Sequence, residues 1–193
     1  MSPAKPFGDV TRGFIIPIGG AEQKVRDPAI LERFVELCGN TRAHIAIIPT
    51  ASQLQDTGRR YERHFRKLGV GETTTLSLES REDCELPRHL ETLDRADGVF
   101  MTGGNQLRLS TTIGGTSVAQ KIRRRNVQGL HVAGTSAGAA FVPEHMIAGG
   151  DTGSTPRADM VQLAPGLGLT NRFIIDQHFR ERDRLGRLLT ALA

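Results

Sequence analysis

Two segments of this 193-residue chain could together do nucleophilic chemistry. Gly134-Thr135-Ser136-Ala137-Gly138 fits the pattern G-x-S-x-G, in which a strand turns sharply into a helix and leaves the serine at the tip with strained backbone angles. The flanking residues must be small because a side chain there would collide with the neighbouring strand and helix. The backbone N–H of Ala137 would then face a developing oxyanion, with the helix N-terminus adding favourable potential. A second glycine turn, Thr102-Gly103-Gly104-Asn105-Gln106, follows another apolar run, and Gly103 or Gly104 could supply the other half of an oxyanion hole. Two ordinary tight turns would carry the same residues, so the pattern alone leaves both readings open.

A serine nucleophile needs a base, and the chain has six histidines. His44 falls within an apolar run and His64 and His89 on charged helical stretches, which suits structural or solvated roles. His131 begins the strand that would carry Ser136 and so lies at its wrong end. His145 opens a long irregular stretch and stays a candidate. His178 follows Phe173-Ile174-Ile175, a predicted strand, and therefore emerges at the carboxyl edge of the sheet, where Ser136 also lies. That topology favours His178 as the base. Beyond it, Arg180, Arg184 and Arg187 follow at i, i+4 and i+7, the spacing of one helical face that could fork carboxylates, although a solvated helix with internal Glu and Asp pairs would look alike.

These residues need a scaffold, and the chain reads as alternating strands and helices. Gly13–Ile18 and Ala43–Pro49 are isoleucine-rich and read as buried parallel strands. Between them Pro28–Cys38 has a helical apolar stripe, with Asp27 as its expected N-cap, Pro28 at the first helical position and Gly39 as its stop. Helices are predicted over Gln55–Leu68 and Pro87–Arg95, a helical stretch over Leu107–Arg125 broken near Gly114-Gly115, and a short helix over Ala137–Val142. Strands are predicted over Thr73–Leu78, Gly98–Met101, Leu130–Ala133 and Arg172–Ile175, and a helix beginning at Arg180 and running to Leu192. From Pro143 to Leu169 the composition dissolves into Gly, Pro, Thr and Asp and predicts a long loop with little regular structure. Repeated β-α-β units predict one α/β domain over residues 1–193, with a mostly parallel sheet between helical layers and ligands bound at the carboxyl ends of strands.

Composition narrows the partners. The formal charge is +4, but aromatic residues make up 5 %, with no Trp and a single Tyr, so a base-stacking platform is not expected. The cluster Lys121-Ile122-Arg123-Arg124-Arg125 reads as the last turn of a helix, where cations oppose the dipole, and no nucleic-acid partner is expected. No run of about 18 apolar residues predicts a membrane-spanning helix, and the first residues, MSPAKPFGDVTRG, lack the apolar stretch of a secretory leader. Cys38 and Cys84 have neither zinc nor redox spacing, which suits free thiols in a reducing, cytoplasmic setting. No His, Cys or carboxylate set has metal-ligand spacing, and the glycine turns complete no nucleotide-binding pattern, so neither metal nor cofactor is expected.

Taken together and in order, the segments "IGGAEQK", "IIPTAS", "MTGGNQ", "GTSAGA", "MIAGG", "LAPGLGL" and "IIDQHFRERDRLGRLL" resemble the cyanophycinases, in the serine peptidase family that also contains aspartyl dipeptidase. The resemblance runs nearly end to end, and the last block is its most specific part. It implies a flavodoxin-like three-layer sandwich related to class I glutamine amidotransferases. It also implies hydrolysis of cyanophycin, multi-L-arginyl-poly-L-aspartate, to β-Asp-Arg dipeptides, and a homodimer. By position, Ser136 matches the nucleophile and His178 the base, while Gln106, Asp176, Gln177, Arg182, Arg184 and Arg187 match residues of the substrate pocket. In such enzymes the acid that orients the histidine is a glutamate on a segment beyond the "DQHF" block. This chain reaches Ala193 before such a segment, so a C-terminally incomplete domain is expected. Glu144, Asp151 and Asp176 are the substitutes within it. A related dipeptidase, or a binding module with an incomplete triad, are the alternative readings.

Overall fold

The computed structural model describes residues 11–193 other than 23 and 25; the first ten residues, with most of the segment expected to lack a leader, and Gln23 of the "IGGAEQK" stretch lie outside it. The isoleucine-rich runs do not alternate with polar residues because helices cover both faces of the sheet they enter. β1 is Ile15–Ile18, β2 His44–Ile48, β3 Glu72–Thr75, β4 Gly98–Met101 and β5 His131–Thr135. They form a parallel sheet in the order β1-β5-β4-β2-β3. All residues of β2 and β4 are buried, whereas the edge strands β1 and β3 are only partly so.

Side chains divide by strand parity. Ile45, Ile47, Phe100 and Ala133 point to one face, where α1 (Ala29–Cys38) and α2 (Thr57–Lys67) cover them with Leu31, Phe34, Val35, Tyr61 and Phe65. Tyr61 and Phe100 pack as tilted rings with centroids 4.8 Å apart. Ala46, Ile48, Val99, Met101 and Val132 point to the other face, under α3 (Pro87–Arg95), α4 (Gln106–Ile113), α5 (Ser117–Val127) and α6 (Ala137–Phe141). This is the three-layer α/β sandwich expected from the strand–helix alternation.

Four local expectations are corrected. α1 is not capped by Asp27: Pro28 occupies the cap position itself and no side chain caps the helix. Pro143–Leu169 is not a structureless loop, since β6 (His145–Gly150) and β7 (Val161–Pro165) pair as an antiparallel hairpin with a bulge between Ile147 and Gly149. Its glycines and proline gave the stretch a loop's composition, but Met146 and Ile147 are buried against the sandwich. Arg172–Ile175 is not a strand; the segment runs as coil, with Phe173 66 % exposed. The last helix, α7, starts at Leu185 and ends at Leu192, so Arg180 and Arg184 precede it and the expected common face of Arg180, Arg184 and Arg187 does not form.

Three of the four basic residues at the end of α5 are taken up by neighbouring groups. Arg125 donates to the carbonyls of Leu93 and Ala96, Arg123 to that of Leu167, and Lys121 pairs with Asp94. Among the described residues no helix is long and apolar enough to cross a membrane.

Candidate active site

Ser136 sits between β5 and α6 with φ 51° and ψ −110°, a conformation that a non-glycine residue adopts only when its surroundings hold it there. Two glycines make the turn possible by close approach. A Cβ on Gly134 would lie 2.4 Å from the main chain of Gly138, and one on Gly138 would lie 2.3 Å from the Met101 carbonyl oxygen. The Ser136 N–H donates to the Ile18 carbonyl at 2.9 Å, tying the elbow to β1. Gly103 lies against Ser136, whereas Gly104 turns toward the main chain of Ala51 and Ser52. Ala137, wholly buried, opens α6.

His178 reaches the elbow from irregular chain. Its Nε2 is 3.1 Å from Ser136 Oγ, and the Oε1 of Gln177 is 3.4 Å from the same hydroxyl. His178 too has positive φ, 49°, and its N–H donates to the Gly19 carbonyl at 2.9 Å. The imidazole lies over Gly20, where any Cβ would stand 2.5 Å from ring atoms. What anchors this arm is a buried ionic cluster. Asp176, with a side chain 1 % exposed, accepts from Arg187 Nε at 2.6 Å and pairs with Arg184 at 3.4 Å. Arg187 Nη2 also donates to Asp176, and Arg184 Nη1 to the Gln177 carbonyl. Burial, aided by the nearby Arg187 charge, pulls the Arg184 guanidinium below its usual range.

A second cluster lies beside Ser136 and was not legible beforehand. Glu22, in the turn after β1, has a side chain only 2 % exposed. Its Oε1 accepts from the Tyr61 hydroxyl at 2.7 Å and pairs with Lys24 at the same distance, while Oε2 accepts from Thr135 Oγ1 at 2.5 Å. Burial alone would raise the Glu22 carboxyl, but the bonds from Lys24, Thr135 and Tyr61 outweigh it, and the net effect is a lowered pKa. Tyr61 moves the other way, raised by burial and by its bond to Glu22. The available signal was a carboxylate and a lysine just past a strand's carboxyl end, where ligands of α/β sheets bind.

The other expected site residues separate into groups. Gln106 is buried and donates to the carbonyls of Ile147 and Ala148, so it fastens the β6–β7 hairpin to α4. Asp176, Gln177, Arg184 and Arg187 belong to the His178 arm, and Arg182 is exposed beside it. Neither Glu144, Asp151 nor Asp176 forms an ion pair with His178: Asp176 is engaged by arginines, Asp151 pairs with Arg157, and the Glu144 main chain bridges Thr170 and Gly166. His44 bonds Thr74, and its pKa is lowered chiefly by burial; His131 accepts from the Phe14 N–H; His89 is buried on α3; His145 starts β6 in an exposed position. Among the described residues no group of three or more His, Cys, Asp or Glu side chains is placed to hold a metal ion.

Comparison with known proteins identifies the family and the fold. A model described as peptidase family S51 matches residues 14–193. Over 185 residues the chain is 45 % identical to the cyanophycinase of Trichormus variabilis, covering 95 % of this chain and 62 % of the relative. Over 184 residues it is 42 % identical to that of Synechococcus elongatus, covering 94 % and 57 %. The chain thus spans about three fifths of the length of these relatives. Among solved structures, a peptidase from an acI-B1 Actinobacterium superposes with a TM-score of 0.70 at 23 % identity, covering 88 % of this chain and 70 % of the other. A putative peptidase E protein from Listeria monocytogenes superposes at 0.63 with 18 % identity, covering 94 % and 88 %. Both likenesses concern the fold.

Proposed function

The chain belongs to peptidase family S51, and from that membership we propose that it is a serine-type peptidase acting on cyanophycin and releasing β-Asp-Arg dipeptides. The observation that carries the proposal is the 3.1 Å approach of His178 Nε2 to a Ser136 hydroxyl held on a strained elbow. Ser136 Oγ attacks the scissile carbonyl carbon as His178 takes its proton. The oxyanion is met by the N–H groups of Ala137 and Gly103. Collapse expels the leaving amine, which takes the proton from His178, and leaves an acyl-enzyme. Water, deprotonated by His178, then attacks the ester, and the proton returns to Ser136 as the acid product departs.

Asp176, Arg184 and Arg187 take a positioning role in this scheme, because the two guanidiniums are engaged by the Asp176 carboxylate and the Gln177 carbonyl and so hold Gln177 and His178 over the serine. Gln177 and the exposed Arg182 remain the residues of this arm proposed to meet substrate. We also propose a cytoplasmic homodimer. Free, buried Cys38 and Cys84 suit a reducing compartment, the Cys38 thiol being pushed up to about 12 by burial with Asp97 adding to it. Phe14 and Ile30, 57 % and 50 % exposed beside each other, offer apolar area for a second copy.

The decisive experiment is Ser136→Ala assayed for β-Asp-Arg release from cyanophycin. Loss of about 10⁴-fold or more in kcat is expected. Undiminished release overturns the assignment.

A further inference from the structure

A cavity of about 270 Å³ opens at Ser136, and the reaction scheme above gives no role to its walls beyond Ser136 and Gly103. It is small against whole-ligand pockets, which run from about 300 to 1,000 Å³, and so has the size of a subsite for one group of a larger substrate. Glu22 and Tyr61 line it together with Lys24, Arg60, His64 and Ser136. It opens at the carboxyl ends of β1, β2, β4 and β5, and the Thr135–Glu22 bond joins its wall to the elbow.

Its charge is decided by which groups still have bonds to give. The charge of Glu22 is met by Lys24, and its oxygens already accept from Tyr61 on one side and from Thr135 on the other. Lys24 has three donors. The Glu22 carboxylate and the Glu22 carbonyl account for two, and its side chain is still 30 % exposed. Arg60 is exposed and lines the cavity one turn of α2 before His64, and its guanidinium has no hydrogen-bonded or ion-paired partner among the described residues. The His64 imidazole is pushed below its ordinary pKa by burial first and then by the surrounding Lys24, Lys67, Arg60 and Arg63. The open valences are therefore cationic, and a guanidinium entering here would meet like charge.

We propose that Lys24 and Arg60, with Lys24 seated on Glu22, form a subsite that receives a free carboxylate of the substrate next to the Ser136 hydroxyl. This rests on the peptidase reading, in which each β-aspartyl-arginine unit carries one free arginine carboxylate. An ammonium fixed by a buried acid and an exposed guanidinium fork clamp such a group from two sides. Glu22, itself held by Tyr61 and Thr135, fixes the Lys24 ammonium in place while offsetting its charge, and Arg60 supplies the positive charge that Glu22 does not offset.

The test measures binding in the Ser136→Ala background, so that turnover does not enter. Calorimetry compares a short β-Asp-Arg oligomer with the same oligomer whose arginine carboxylates are capped as amides. Capping is expected to weaken binding roughly 10- to 100-fold, the range of a charge-assisted pair. Lys24→Met and Arg60→Gln are each expected to weaken the free acid and leave the amide nearly unchanged, so that the preference shrinks. Arg60→Gln lies on an exposed helix face and keeps the test open should Lys24→Met fold poorly. Equal binding of acid and amide, or a full preference in both variants, overturns the subsite alone. Absence of binding by either oligomer overturns the cyanophycin reading and the subsite with it.

Discussion

Ser136 and His178 have nearly the same backbone strain, φ 51° and φ 49°, yet they are held by different kinds of neighbourhood. Around Ser136 the constraint is steric: β5, α6 and β4 approach so closely that Gly134 and Gly138 leave no room for a Cβ. Around His178 there is no regular structure until α7, and the constraint is electrostatic, a buried carboxylate gripped by two arginines eight and eleven residues further along. Each strained residue costs about 1–3 kcal/mol and must be over-determined by what surrounds it. The elbow draws on close packing of the sandwich. The histidine arm draws on charge pairs that stand or fall together.

The largest effect is expected where the steric arm is broken. In Gly138→Val a Cβ would sit 2.3 Å from the Met101 carbonyl oxygen, and main chain in the centre of the sheet cannot give way. Overpacking of this kind should cost on the order of 5 kcal/mol. Urea unfolding should find the variant largely unfolded before denaturant is added. A folded variant with a near-normal midpoint would show that the elbow is less confined than its contacts imply.

Next comes the ionic arm. Asp176→Asn keeps the side chain's size but leaves Arg184 and Arg187 buried, 6 % and 3 % exposed, with no opposing charge. Breaking a buried pair from one side costs about 3–5 kcal/mol, and retained hydrogen bonding by the amide places the expectation near the lower end. Activity should fall with stability, since Gln177 and His178 lose their anchor. If Asp176 instead met substrate directly, KM would rise while the unfolding midpoint stayed put. The experiment therefore separates a positioning residue from a binding one.

This contrast also explains what could be read from the chain. The elbow was legible because a steric requirement writes itself into residue types at fixed spacing: only small residues fit around Ser136. The parallel sandwich was legible for a similar reason, in the apolar runs of β2 and β4. His178 was reached through a strand over Arg172–Ile175 that does not form, and it arrives instead through the Gly19 carbonyl and the Asp176 cluster. Partners that meet across irregular chain leave no periodicity. The same holds for Glu22, whose partners Tyr61 and Thr135 are 39 and 113 residues away. The β6–β7 hairpin was hidden by its composition, because Gly149, Gly150 and Pro165 have the composition of a loop although they sit in the paired strands themselves.

The smallest expected effect separates the two kinds of charge network by pH. Glu22 has a pKa below the ordinary glutamate value in the folded chain, so the unfolded chain binds its proton more readily. Its contribution to stability is then full above the unfolded value of about 4.3 and is lost as pH falls through the folded one. Glu22→Gln removes this term, so wild type and variant should differ in melting temperature at pH 7 and converge as pH falls through the lowered folded pKa. The elbow's steric constraint has no titrating group and should not change across that range. A gap between the two melting curves that stays constant with pH would mean that Glu22 acts through packing alone. The charge at the wall of the cavity, which holds Lys24 toward an incoming carboxylate, would then have to be sought elsewhere.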